Sequence, residues 1–433
     1  MSDVMVGIVG LAVVLLLFLT GIELAFAMAL VGFLGFAYIV SVPAALNLLA
    51  KDVFDVFASY GFTVIPLFVL MGQIAFNAGI AKRLYNTSYK FIGHIPGGLA
   101  MATVGGAAAF GAITGSSPAT AAIFASVAVP EMDRHGYHKK LSTGIVSAVG
   151  TLGSLIPPSV TLIVYGIITQ QSIGKLFLAA IIPGMLISLF LFSIVYGWCK
   201  INPSLGPKGE RSTWKERIIS LKDVIWVLLI FLIVIGGLTW GFFTPTEAGS
   251  IGTFSVLLFS VMKRDINFNG FIRSVAESLR TACMVLMLIA GSTILGHFLV
   301  VTKIPMIAAD WIIGLPFPNY LNMVIILLIY EIGGSFIDDL AFMVLATPIF
   351  YPAIIKLGYD PIWFGIILHI FVMIGVLIPP VAINVFVVKN ITKVPFSVIY
   401  SGVYPFLIGL VLCAAILFLF PQLALFLPSV LMK

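Results

Sequence analysis

Charged side chains are scarce in this sequence. Asp, Glu, Lys and Arg make up 9% of its 433 residues, against about 25% in a soluble domain, so water is not its main solvent. Reactive groups are few as well. Cys199, Cys283 and Cys413 lie far apart and form no CxxC pair, which excludes a disulfide framework or a thiolate metal site; they read as small apolar packing groups. No HExxH, GxSxG or Cys/His pairing occurs, which argues against an enzyme. The absence of a GxxxxGK[ST] phosphate loop argues against an ATP-driven pump. The opening MSDVMVGIVG carries Asp3 and no basic residue. It lacks the n-region of a signal peptide, so the first helix is expected to stay in the mature protein.

What is there is apolar: 61% of residues are hydrophobic and the mean hydropathy is +1.17. Runs long enough for a membrane helix, about 20 residues, recur at 4–20, 24–40, 53–78, 93–130, 141–168, 175–199, 224–241, 246–262, 275–301, 320–354, 361–388 and 396–420. They are continuous rather than alternating, which disfavours a β-barrel. The fold class is an all-α polytopic membrane protein.

The net charge of +6 would suit a nucleic-acid partner, but its distribution excludes one. Basic residues cluster at 82–90, 134–140, 200–222, 263–280 and 389–393. If 93–130 is a hairpin that enters and leaves by one face, every cluster falls on the same side. Only Lys51, Lys175, Lys303, Lys356 and Lys433 are opposite, leaving 18 of the 23 Lys and Arg together. The positive-inside rule makes that side cytoplasmic and the amino terminus periplasmic.

Shifting the sequence by 222 residues aligns PEMDRHGY (130–137) with PAIIKLGY (352–359) and GSLIPP (153–158) with GVLIPP (375–380). Pro183 falls on Pro405 without a gap, and Glu23 lies near the register of Glu247. Residues 1–200 and 223–420 therefore read as two repeats that enter from opposite sides, an inverted-topology architecture. The polar stretch 201–222 is a cytoplasmic linker, with a surface helix expected along the headgroups, and 421–433 is a C-terminal tail.

Each repeat has a re-entrant hairpin, about 93–130 and about 320–354, and a broken helix, about 141–168 and about 361–388. Pro157–Pro158 and Pro379–Pro380 remove backbone donors in mid-span. Irregular backbone at that depth is tolerated where protein buries it or where it lines a cavity. Ser159 and Thr161 follow the first break; Asn384 follows the second. In the first hairpin Gly111 and Gly115 permit a tight turn, while Ser116, Ser117 and Pro118 suit a helix start. In the second, Glu331, Asp338 and Asp339 are acidic with no base between Trp311 and Ile355. A carboxylate at the centre of a membrane helix costs roughly 2.5–3.5 kcal/mol, so a cation, a proton or water must offset it. Asp338 and Asp339 align with Ser116 and Ser117. Oxygen donors of this kind suit Na⁺. His297 and His369, inside apolar runs, read as structural histidines, and Glu23 and Glu247 as caps or interfacial residues.

At GAITGSSPATAA, at PEMDRHGYHKKLSTGIVSAVGTLGSLIPPSV and at the GSFIDD and LIPP pieces of the second half, the sequence resembles the large membrane subunit of a TRAP (tripartite ATP-independent periplasmic) transporter. The resemblance covers nearly the whole chain. It implies a Na⁺-driven importer of organic anions in the bacterial inner membrane, working as an elevator. It also implies a small membrane subunit, expected as a separate chain, and a periplasmic substrate-binding protein. By the same resemblance Gly111, Ser116, Gly153 and Pro157 would help hold one Na⁺; Gly333, Asp338, Asp339, Gly375 and Pro379 would help hold another. Ser116, Ser117, Pro158, Ser159 and Asn384 would face the substrate anion between the tips. A stand-alone Na⁺- or H⁺-coupled carboxylate or ion transporter of related architecture, needing no binding protein, is the alternative.

Overall fold

The structure, a computed structural model, describes residues 2–432; Lys433, counted above among the opposite-face lysines, lies outside the described residues, as does Met1. Among the described residues there is no β-strand. The helices follow from capping residues at apolar runs. Ser2 caps α1 (Asp3–Leu19), and α2 (Leu24–Ile39) follows at Glu23. The run read as one span over 53–78 is broken. Ser41 and Pro43 start α3 (Val42–Ala58), which carries Lys51, Asp52 and Asp55; it stops at Ser59, and α4 (Val64–Asn77) begins after one 3₁₀ turn. Three charges within two turns make α3 unsuited to crossing lipid. The amphipathic α5 (Ile80–Ile92) leads to a pair of helices, α6 (Gly98–Thr114) and α7 (Ser117–Arg134).

Next come α8 (Lys139–Gly150), the one-turn α9 (Leu152–Leu155) and α10 (Val160–Ile168). The path bends by 42° at Ile156–Ser159, where the Pro157–Pro158 peptide is cis. The long α11 (Ile173–Ile201) completes this half. The polar linker forms one 3₁₀ turn, Pro203–Leu205, and no α-helix of its own. It lies against the first half, with Gly206 O accepting from Gly97 N and Gly93 O accepting from Gly209 N, both at 2.9 Å. Its last residues are the start of α12 (Trp214–Thr239), capped by a Thr213–Glu216 capping box.

The second half runs α13 (Pro245–Met262), α14 (Phe268–Val301), α15 (Ile304–Ile313), α16 (Asn319–Phe336), α17 (Asp339–Lys356), α18 (Pro361–Gly375), α19 (Ile383–Thr392), α20 (Phe396–Leu419) and α21 (Gln422–Leu431). Between α18 and α19 the chain is unwound, with cis Pro379–Pro380 and Ala382 at φ +49°. Within the tail, residues 422–431 are helical, and α21 packs on α11.

Seven helices among the described residues are long and apolar enough to cross a membrane, and the bent path α8–α9–α10 makes an eighth. The broken helices form the centre. Every residue of α8 from Leu141 to Gly150 is buried, and so is every residue of α18 except Pro361 and Phe371. A helix apolar all round has to be enclosed by protein, and this shields the irregular backbone. Large apolar side chains such as Leu19, Leu34, Ile225, Leu232 and Ile408 face outward, as a lipid-facing surface requires.

Two of the basic clusters, 82–90 and 263–280, meet at Asp223 and Asp265. Arg83 of α5 reaches Asp265 and lies 3.8 Å from Asp223, which Lys263 approaches to 3.7 Å.

Candidate functional site

The tips of the two helix pairs, 115–116 and 337–338, line a single cavity of about 750 Å³. At the first tip α6 ends at Thr114, and Gly115 takes φ +65°, a conformation that a β-carbon disfavours. Ser116 is the N-cap of α7, and its side chain makes no capping hydrogen bond. Thr120 donates to Ser116 O at 2.9 Å, and Thr114 and Thr120 hydroxyls lie 3.2 Å apart. At the second tip Asp338 is the N-cap of α17, again without a side-chain cap bond. Asp339 is buried; its Oδ1 accepts from Leu340 N at 2.9 Å while Oδ2 has no partner. Leaving a buried carboxylate oxygen unsatisfied is costly unless something else binds there.

The broken helices press on these tips. A methyl group on Gly153 would lie 2.0 Å from Thr120 Oγ1 and 2.7 Å from Ser116 O; one on Gly375 would lie 2.5 Å from Glu331 O. Only glycine permits these approaches, and they hold carbonyl oxygens beside both tips. Gly115, at the first tip, is similarly close to Pro158 O.

Of the residues singled out in the sequence, Ser116, Ser117, Asp338 and Asp339 line the cavity. Thr161 does too, from the first turn of α10. Asn384 does not, but its amide bonds to the Ser117 hydroxyl at 2.9 Å and to Ser147 O at 3.3 Å. Gly111 packs against Leu152 O, and Gly153 against Ser116. Pro157, Pro158 and Ser159 lie just behind the first tip; Ser159 is buried and caps α10 through Leu162 N at 3.2 Å. Pro379 sits in the second unwound segment. Gly333 faces the Phe342 ring, whereas its neighbour Gly334 approaches Val372 of α18. Glu23, read as a cap, reaches the cavity wall; Glu247 forms a capping box with Thr244. His369 is buried 3.1 Å from Ser154 Oγ, and His297 lies 3.4 Å from Asp52.

Sequence reasoning missed the opposite wall: Gln73 of α4, with Glu277 and Thr281 of α14. Glu277 and Thr281 are spaced i, i+4, which puts them on one face of α14. None of the lining residues is Lys, Arg or His. Among the described residues no group of three or more His, Cys, Asp or Glu is placed to hold a metal; the oxygens at the tips are hydroxyls, the adjacent carboxylates of Asp338 and Asp339, and main-chain carbonyls.

The family described as tripartite ATP-independent periplasmic transporter, DctM component, matches residues 11–423. The C4-dicarboxylate TRAP transporter large permease protein DctM of Pseudomonas aeruginosa is 34% identical over 388 residues, 89% of this chain and 90% of that protein. The isethionate TRAP transporter permease protein DctMQ of Oleidesulfovibrio alaskensis is also 34% identical, over 89% of this chain and 61% of its own length. In fold the chain resembles the Alcanivorax borkumensis YdaH transporter, with a TM-score of 0.63, 12% identity and coverage of 87% of this chain and 88% of that one.

Proposed function

The chain belongs to the DctM component family of tripartite ATP-independent periplasmic transporters, and from that premise we propose that it is a Na⁺-coupled importer of small organic anions. Its similarity to permeases named for a C4-dicarboxylate and for isethionate supports a carboxylate or sulfonate substrate. The observation that carries the reading is one cavity on which two polar tips converge and which no basic side chain lines. A bound anion must therefore find its countercharge elsewhere. Helix N-termini at Ser117 and Asp339 supply part of it, and Na⁺ ions beside the tips supply the rest.

Hydroxyl, carboxylate and carbonyl oxygens suit a hard cation. At the first tip the groups around Gly111, Ser116, Gly153 and Pro157 would hold one ion. At the second, Asp338 and Asp339 with the chain around Gly333, Gly375 and Pro379 would hold another; the unpartnered Asp339 Oδ2 is a ready ligand. Anion and cations then stabilise one another, and this coupling free energy ties uptake to the Na⁺ gradient.

The halves are inverted repeats, α6–α11 corresponding to α16–α20, and the hairpins re-enter the membrane from opposite faces. Tips and broken helices move as one body past α1, α2, α4, α12, α13 and α14, an elevator. The basic loops face the cytoplasm, the amino terminus faces the periplasm, and the chain sits in the inner membrane. A small membrane subunit and a periplasmic binding protein complete the system.

The test is uptake into proteoliposomes holding the chain and its small subunit, with the binding protein supplied outside. Asp338→Asn abolishes Na⁺ stimulation while the protein still assembles; unchanged stimulation removes Asp338 from the site. Full-rate uptake with the binding protein omitted would favour a stand-alone carrier instead.

A further inference from the structure

We infer that the substrate is a monoanion with an apolar body, its single acid group held between the two tips and its body lying against α4 and α14. This deepens the importer reading above and rests on it. At about 750 Å³ the cavity falls in the range of about 300–1,000 Å³ that encloses small organic ligands. Its polar groups are gathered at the tips: Thr114, Ser116 and Ser117 at the first, Asp338 and Asp339 at the second. The facing wall is largely apolar, with Val69 and Phe76 of α4 and Met284 and Leu288 of α14. Ile123, Phe336 and Leu340 extend that surface from the hairpins themselves. A small, fully hydrated anion leaves these side chains against water, whereas an apolar body covers them.

Charge sets the second limit. No Lys, Arg or His lines the cavity, and the charged groups away from the tips are both carboxylates, Glu277 of α14 and Glu23 at the start of α2. Arg273, one turn before Glu277, donates from Nε to Glu277 Oε1 at 2.8 Å and stays outside the cavity wall. The positive ends open to an anion are therefore all at the tips, where helices start at Ser117 and Asp339 and where the cations are placed. A second carboxylate on the substrate would lie towards Glu277 and Glu23 without a partner, opposed both by desolvation and by like charge. The hairpin part of the lining holds no base either, so this selection travels with the tips through the elevator stroke. Glu277 is thus a specificity-determining residue that tells one acid group from two.

The test is a titration of the assembled chain and small subunit in nanodiscs, in Na⁺ buffer at a pH where every carboxyl is ionised, read by unfolding temperature. The probes are butanoate, pentanoate and hexanoate, each paired with the diacid of equal carbon count: succinate, glutarate and adipate. Among the monoacids the half-saturating concentration should fall about fourfold per added methylene, the ratio expected for burying a CH₂ group. Each diacid should require at least about tenfold more than its partner, because like charges face each other across the cavity. Glu277→Gln should narrow that gap, and Met284→Ser should flatten the chain-length trend. If Glu277→Gln fails to assemble, Glu23→Gln reads the same gap. Diacids that bind as tightly as monoacids, a wild type indifferent to chain length, or a gap that neither glutamine variant narrows overturns the inference. A complex that responds to none of the six acids contradicts the importer reading itself, and this inference falls with it.

Discussion

Asp339 brings the central question down to one atom. Its Oδ2 is buried and unpartnered, and in an apolar interior such an oxygen is tolerated where a cation or a proton joins it. Replacing Asp339 by Asn removes the charge at nearly constant shape. The expected outcome is uptake that no longer responds to Na⁺, with unfolding temperature in Na⁺-free buffer equal to or above that of the wild type. Gly153 gives a steric counterpart. Alanine there would press on Thr120 and on the Ser116 carbonyl. Overpacking of this kind costs about 1–3 kcal/mol, so Gly153→Ala should lower the unfolding temperature and weaken Na⁺ dependence together. A normal Na⁺ response would show that α9 does not shape the first site. Asp338, Asp339, Ser116 and Ser117 were legible from sequence because the 222-residue shift pairs them. Ser154, His369 and Gly334 were not, since their roles depend on which helices meet, and a single chain does not state that.

Among the elements, the broken helices were readable because adjacent prolines remove two backbone donors inside an apolar run, and a regular helix does not continue through them. The arrest of α3 at Ser59 was hidden: hydropathy joins it to α4, and only the charges at Lys51, Asp52 and Asp55 hint that this segment is not a span. The start of α12 was hidden for the converse reason, since polar residues lead straight into an apolar helix without a break. Its docking is fixed by Arg217 Nε, which donates to Lys90 O at 3.0 Å, and by Thr87, which donates to Ser220 O at 3.0 Å. Nearby, Arg83 joins α5 to the α13–α14 loop and to Asp223. Hydrogen bonds to charged groups are worth about 1.5–3 kcal/mol. Arg83→Ala should therefore lower thermal stability by an amount in that range, more at low salt than at high salt. An unchanged unfolding temperature would mark this cluster as energetically idle.

For the whole molecule, an elevator requires tips and broken helices to slide against α14. Ser292 Oγ of α14 donates to Val344 O of α17 at 2.9 Å, a contact that such a motion must break. With Cys199, Cys283 and Cys413 replaced, a cysteine pair at Ser292 and Val344 should arrest uptake when oxidised and release it on reduction. Continued uptake by the crosslinked protein would rule out movement at this boundary. The central claim, that anion entry is driven by cations bound beside the two tips, is tested most directly by accumulation in proteoliposomes carrying the complete system. With an inward Na⁺ gradient, labelled substrate should rise above its external concentration, and the excess should vanish when K⁺ replaces Na⁺. Equal, merely equilibrating uptake under both conditions would contradict the account.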